Sequence, residues 1–152
     1  MTRGRATLAA GSTALAVIAV DQLTKALVRS GLEIGEQRDL VLGVDLVHVR
    51  NSGVAFGFLA GGGAVLVAGT AIALLALLVF FALNSGRRLV WLPTGLLLGG
   101  ALGNLLDRAR DGNVTDFIEF PHFPAFNVAD MAITFGVVAL VLVLESGPKR
   151  HG

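Results

Sequence analysis

The sequence contains no cysteine. That single absence removes disulfides, thiolate nucleophiles, Fe–S clusters and Cys-ligated zinc from consideration. It also leaves the redox compartment unreadable from thiols. Charge is scarce: 15% of the 152 residues are charged and the formal net charge is +1. Phosphate binding needs a clustered surplus of Lys and Arg, so a nucleic-acid partner is excluded. No H-E-x-x-H helix is present, which removes the zinc-protease pattern, and no metal site or cofactor is expected. Ser52 lacks a convincing histidine partner among the scattered His48, His122 and His151. There is no internal repeat and no low-complexity tract.

What is present in excess is apolar. Hydrophobic residues make up 54% of the chain, more than a soluble domain of this size can cover with polar surface, so the surplus is assigned to lipid. Four apolar segments each approach the roughly 20 residues that cross a roughly 30 Å hydrocarbon core. They run from about Ala6 to Val28, Ala64 to Leu83, Leu89 to Leu106 and Val128 to Leu144. The expected fold is therefore an all-α membrane protein, one integral membrane domain over residues 1–152 with four transmembrane helices. The third segment contains "GLLLGGALG", whose small residues let neighbouring helices approach closely.

Basic residues orient the spans. Arg3 and Arg5 precede the first, Arg87 and Arg88 lie between the second and third, and Lys149 and Arg150 follow the fourth. All three groups fall on one side of a four-span arrangement, and the positive-inside rule makes that side, with both termini, cytoplasmic. A cleaved signal peptide is the competing reading of the first segment, but its apolar stretch runs on into "DQLTKALV" without a small-residue cleavage site. The two outer links are residues 29–63 and 108–127. The first alternates with period two around Val41, Asp45, Val47 and Val49, which predicts a small extended or hairpin element at the outer membrane surface between the first and second helices.

Polar residues are few enough to weigh singly. Asp21 and Lys25 are four apart in the favourable order for a helical ion pair, and structural pairing explains both. Asn51 and Gly53 suit a turn. Asp107 beside Arg108 reads as a helix-end anchor. Asp116 in "VTDFIEF" and Asp130 in "FNVAD" differ, because each sits among apolar neighbours with no basic residue close in sequence. Unpaired acids in such places are usually kept for a function. With no Cys, metal or serine arrangement, amide hydrolysis would be left to a water molecule activated by carboxylates. Two aspartates near an apolar boundary would share a proton and titrate as a pair. A transporter would instead distribute polar residues through the midplane, and the second segment has only Thr70.

"DQLTK", "NSGVAF", "GGALGNLLDR", "VTDFI" and "FNVADMAI", in that order from Asp21 to Ile133, resemble the motif set of the lipoprotein signal peptidases, the type II signal peptidases. The resemblance implies a bacterial inner-membrane aspartyl endopeptidase. Such an enzyme removes the signal peptide of a prolipoprotein on the N-terminal side of a diacylglyceryl-modified cysteine. Its catalytic pair would be Asp116 and Asp130. The resemblance further implies support of the site by Asn51, Asn104, Arg108 and Asn127, with Asp21 and Lys25 structural. The implied partners are lipid-modified prolipoproteins and membrane lipids, and a monomer is expected. The site should lie near the extracytoplasmic face, where the fourth span begins.

The topology has a direct check, because any introduced cysteine is unique. Single Cys replacements at Arg38, Arg87 and Lys149 are to be probed in intact cells with an impermeant thiol reagent. Position 38 should label from outside and positions 87 and 149 should not; the reverse at any of them refutes the topology.

Overall fold

The computed structural model describes residues 1–41, 43–53 and 62–146. The basic tail with Lys149, Arg150 and His151, and Val54 to Phe56 of the "NSGVAF" motif, lie outside the described residues. Among the described residues there are four helices: α1 (Arg3–Gly31), α2 (Gly62–Asn84), α3 (Trp91–Asp111) and α4 (Val128–Glu145). Strands β1 (Gln37–Val41) and β2 (Val44–Asn51) follow α1, while β3 (Val114–Phe120) and β4 (Phe123–Phe126) join α3 to α4.

Three of the helices, α1, α2 and α4, are long and apolar enough to cross a membrane. Their outward positions are large and apolar, with Leu8, Leu15, Ile72, Leu75, Leu83, Phe135 and Leu142 all more than half exposed. A water-facing surface does not carry such a continuous apolar face, so this one is suited to lipid. Helix α3 has less need of hydropathy, because it packs between α1 and α4 and much of its length is covered by protein. Its inward residues include Gly95, Gly99, Gly100, Gly103, Asn104 and Asp107.

The glycine spacing of α3 sets how close the helices come. Gly95, Gly99 and Gly103 recur every four residues and form one stripe against α1, which is the geometry of small-residue packing between membrane helices. At Gly99 a Cβ would fall 2.8 Å from the carbonyl oxygen of Ala14. At Gly103 it would fall 2.7 Å from Oδ2 of Asp21, so this glycine makes room for a buried carboxylate. Next to Gly95 of that stripe a small cluster of Ala6, Ala10, Phe81 and Val90 closes the end of the bundle where the chain starts.

At the other end lies an antiparallel sheet in the order β1-β2-β3-β4. The expected hairpin between the first two helices is present as β1 and β2. Half of the sheet was not anticipated, since β3 and β4 come from the second outer link. Pairing of Val49 with Asp116 and of Asn51 with Val114 ties the two links together. Helix boundaries also shift. Leu89 takes a left-handed conformation (φ 65°), so the third helix starts at Trp91 and not at Leu89. It continues past Arg108 to Asp111, where Gly112 at φ 71° caps it through its N–H to the Arg108 carbonyl. Asp107 is therefore inside a helix and turned inward, and not the helix-end anchor expected from its place beside Arg108.

Gly103→Ala is expected to lower stability by about 1–3 kcal/mol through overpacking. Gly69→Ala, where a Cβ meets nothing within 4 Å, should be neutral or slightly stabilising. Thermal unfolding of the two variants in detergent decides it: equal midpoints would mean that the α1–α3 approach does not depend on Gly103.

Candidate active site

The polar residues of the membrane helices converge on one cluster under the sheet. Lys25 lies at its base, fully buried, with Nζ 2.9 Å from Asp21 Oδ2 and 3.0 Å from Asp107 Oδ2. The same ammonium donates to Oδ1 of Asn104 at 2.9 Å. Gln22 adds amide donation to Asp107 at 2.9 Å and to the Gly103 carbonyl at 3.1 Å. A buried ion pair stabilises only when the remaining lone pairs and protons are also satisfied, and here they are.

Each carboxylate of that base reaches a different element. Asp21 Oδ1 accepts the backbone N–H of Ala129 at 2.9 Å, one of the donors that the first turn of α4 leaves without an intrahelical partner. Asp107 Oδ2 accepts from the N–H of Thr115, the residue before Asp116, at 3.2 Å. Arg29 approaches from the side, donating to Thr115 Oγ1 at 3.2 Å.

Above this base sit the two candidate aspartates. Asp130 occupies the third position of α4, where it forms a capping box with Asn127. The Asn127 side-chain oxygen accepts from Asp130 N at 2.9 Å, and Asp130 Oδ2 accepts from Asn127 N at 3.2 Å. The other oxygen of Asp130 accepts from Asn104 Nδ2 at 2.8 Å. Asp116, on β3, is only 1% exposed. Its Oδ1 accepts from Asn127 Nδ2 at 2.6 Å and its Oδ2 from Asn51 Nδ2 at 2.8 Å. Asn127 thus touches both aspartates, and Asn104 accepts from both Asn127 and Lys25. Asn51 also accepts from Gly53 N at 2.8 Å, with Gly53 at φ 75°, so the turn anticipated there exists and orients the amide toward Asp116.

Burial pushes the carboxyl of Asp116 up to about 6. Hydrogen bonds from Asn51 and Asn127 oppose this, while the charge of Asp130 adds to it. Lys25 has the smallest named effect, consistent with its place one residue layer below.

Of the residues singled out in the sequence, Asn51, Asn104 and Asn127 are brought onto the two aspartates. Asp21 and Lys25 lie beneath them. Arg108 makes no ion pair among the described residues; it lines a cavity of about 410 Å³ between α2, α3 and α4, together with Asn104, Leu74, Leu97 and Ile133. Of the histidines, His48 is bonded through Nδ1 to the Leu32 carbonyl at 2.9 Å. Sequence reasoning missed Gln22, Arg29, Asp107 and Thr115. Asp107 was the detectable one, since it follows Asn104 by three residues and so shares its helix face.

The sequence profile described as Signal peptidase (SPase) II matches residues 13–145. The chain belongs to this family. A lipoprotein signal peptidase from Moorella thermoacetica is 43% identical over 140 residues, 90% of this chain and 93% of that one. Another, from Halothermothrix orenii, is 39% identical over 136 residues, 89% of this chain and 94% of that one. A solved bacterial membrane enzyme, determined in meso at 1.9 Å, superposes with a TM-score of 0.84 at 33% identity, covering 95% of this chain and 94% of the other. The protein is a protease of the signal peptidase II family, with the apolar helices of a multi-pass membrane protein.

The raised carboxyl of Asp116 carries a signed prediction. Its folded-state value, about 6, lies above the ordinary 3.8, so its contribution to stability is fully present below pH 4 and is lost as pH rises through 6. Between pH 7.5 and pH 5 the wild type should regain on the order of 1 kcal/mol that Asp116→Asn, which cannot titrate, does not. Unfolding midpoints of both proteins at the two pH values measure it. A wild-type gain no larger than the variant's would show that Asp116 is not held in a desolvated site.

Proposed function

We propose that this protein is a membrane aspartyl endopeptidase that removes the signal peptide of diacylglyceryl-modified prolipoproteins, cleaving before the lipidated cysteine. The observation that carries the reading is that Asn127 contacts both carboxyls, donating from its side-chain Nδ2 to Asp116 Oδ1 and from its backbone N–H to Asp130 Oδ2, so two carboxyl groups on different elements are held by one residue at the mouth of α4. The names of the relatives supply the substrate class.

The chemistry follows from that pairing. Two neighbouring carboxyls hold one proton between them. The ionised one takes a proton from a water molecule as its oxygen bonds to the scissile carbonyl carbon. The protonated one gives its proton to the carbonyl oxygen. Collapse of the tetrahedral adduct breaks the C–N bond, and the amine leaves with a proton returned by the dyad. Asn51 and Asn104 hold the outer oxygens of the two carboxyls, and Arg108 offers a guanidinium to a carbonyl of the bound peptide.

On this reading α3 is the fourth span. Both termini face the cytoplasm of a bacterial inner membrane, and the dyad lies level with the outer headgroups. Lipid on the substrate cysteine holds the scissile bond at that depth, and a single chain is sufficient for activity.

Asp116→Asn and Asp130→Asn should each lower cleavage of a lipidated precursor by about 10² to 10⁴, and the double variant should be little worse than either, because the two act as a unit. Both proteins should remain folded and membrane-inserted. Asp21→Asn is the contrast, costing stability while leaving turnover. Near-normal cleavage by either dyad variant, measured with purified protein and a diacylated precursor, would sink the aspartyl mechanism.

A further inference from the structure

A second cavity reaches Asp130. It is about 350 Å³ and lies between strand β4 and the first turns of α4, lined by Phe123, Phe126, Met131, Thr134, Phe135 and Asp130 itself. Phe135 lies five residues along α4 from Asp130, about 7.5 Å at the helical rise. Phe123 of the hairpin and Phe135 of α4 thus face one cavity. The hairpin tip is apolar. Phe120 and Phe123 are exposed, Phe120 stacks on Phe126 at 5.9 Å, and Phe123 meets Phe126 edge-on.

This cavity and the one lined by Asn104, which donates to Asp130, differ in what they can hold. The one between α2, α3 and α4 presents the Asn104 amide and the Arg108 guanidinium. A peptide entering a lipid-level site brings carbonyl groups that need donors, and only that cavity supplies them. The cavity beside β4 offers no comparable donor. Its one hydroxyl, on Thr134, is already bonded to the Asp130 carbonyl at 2.9 Å.

Resting on the proposed function, we infer that the slot between β4 and α4 takes one acyl chain of the substrate's diacylglyceryl group, while the signal peptide enters between α2, α3 and α4. Asp130 in the slot's lining commits the occupant. A chain that lies there with its head at Asp130 has its attachment point at the dyad, which a chain covalently joined to the residue beside the scissile bond satisfies. The β3–β4 hairpin then acts as the element that reads lipid.

The test compares two fluorogenic lipopeptides of one sequence, dipalmitoyl and dihexanoyl, with purified protein in detergent. Ala125→Phe and Thr134→Phe each fill the slot. In either, the ratio of kcat/KM for the long-chain over the short-chain substrate should fall at least about tenfold, since each buried methylene contributes to binding. Ala73→Phe, in the other cavity, should slow both substrates alike. Independently of any variant, a dipalmitoyl substrate carrying a diazirine within the first few carbons of one chain should crosslink wild-type protein at Met131, Phe123 or Phe135. An unchanged ratio in both slot variants, or crosslinks confined to Leu74, Leu77 and Leu97, overturns the assignment. A defect equal for both chain lengths that appears only when phospholipid is added would give the slot to a bilayer lipid and overturn it too. Wild-type protein that cleaves neither lipopeptide refutes the proposed function itself, which separates the two failures.

Discussion

One buried cation organises the working end of this molecule. The Lys25 ammonium is fully enclosed, and each group that compensates it also does something else. Asp21 binds the first turn of α4, Asp107 binds the start of β3, and Asn104 binds Asp130. Four elements, α1, α3, β3 and α4, are therefore fixed relative to a single nitrogen atom. Removing one partner of such a cluster costs several kcal/mol, because it strands the remaining charges away from water. The same cost enforces register, since sliding any one element would break a charge-assisted bond.

That arrangement depends on glycine. Asp21 fits beneath α3 because Gly103 has no side chain, and the stripe that includes Gly99 brings the helices close enough for Lys25 to reach across to Asp107 and Asn104. Small residues thus serve the electrostatics as well as the packing. They also lower the hydropathy of α3, which is why it falls short of the other three helices as a candidate span although it lies between two of them. A helix lined by protein does not need the side chains that a lipid-facing one needs.

How much of this could be read from the sequence divides along physical lines. Helices and the motif residues were legible, because apolar runs of membrane length and isolated acids within apolar stretches are local signals. The pairing of Val49 with Asp116 was not, since it joins residues 67 positions apart, and neither strand's pattern names its partner. The alternation that predicted a hairpin is itself impure: neighbouring Val47 and His48 are both buried where the register slips between Leu46 and Val49. Asp107 was misjudged for the opposite reason. Its sequence neighbour Arg108 suggested a local pair, but adjacent residues on a helix point apart, and the true partner was Lys25 on another helix.

The choice of asparagine around the two aspartates follows from the chemistry proposed for them. A lysine or arginine in direct contact with Asp116 would hold it ionised and leave no proton to share. An amide positions a carboxyl while adding no net charge. The cation that fixes the geometry is kept one layer below, and Asn104 and Asn127 transmit its position but not its charge. Burial can then dominate at Asp116, raising its carboxyl to about 6 with Lys25 opposing it only weakly. On the proposed chemistry the salt bridge positions the two carboxyls and leaves them free to exchange a proton, because Lys25 pairs with Asp21 and Asp107 and with neither of them.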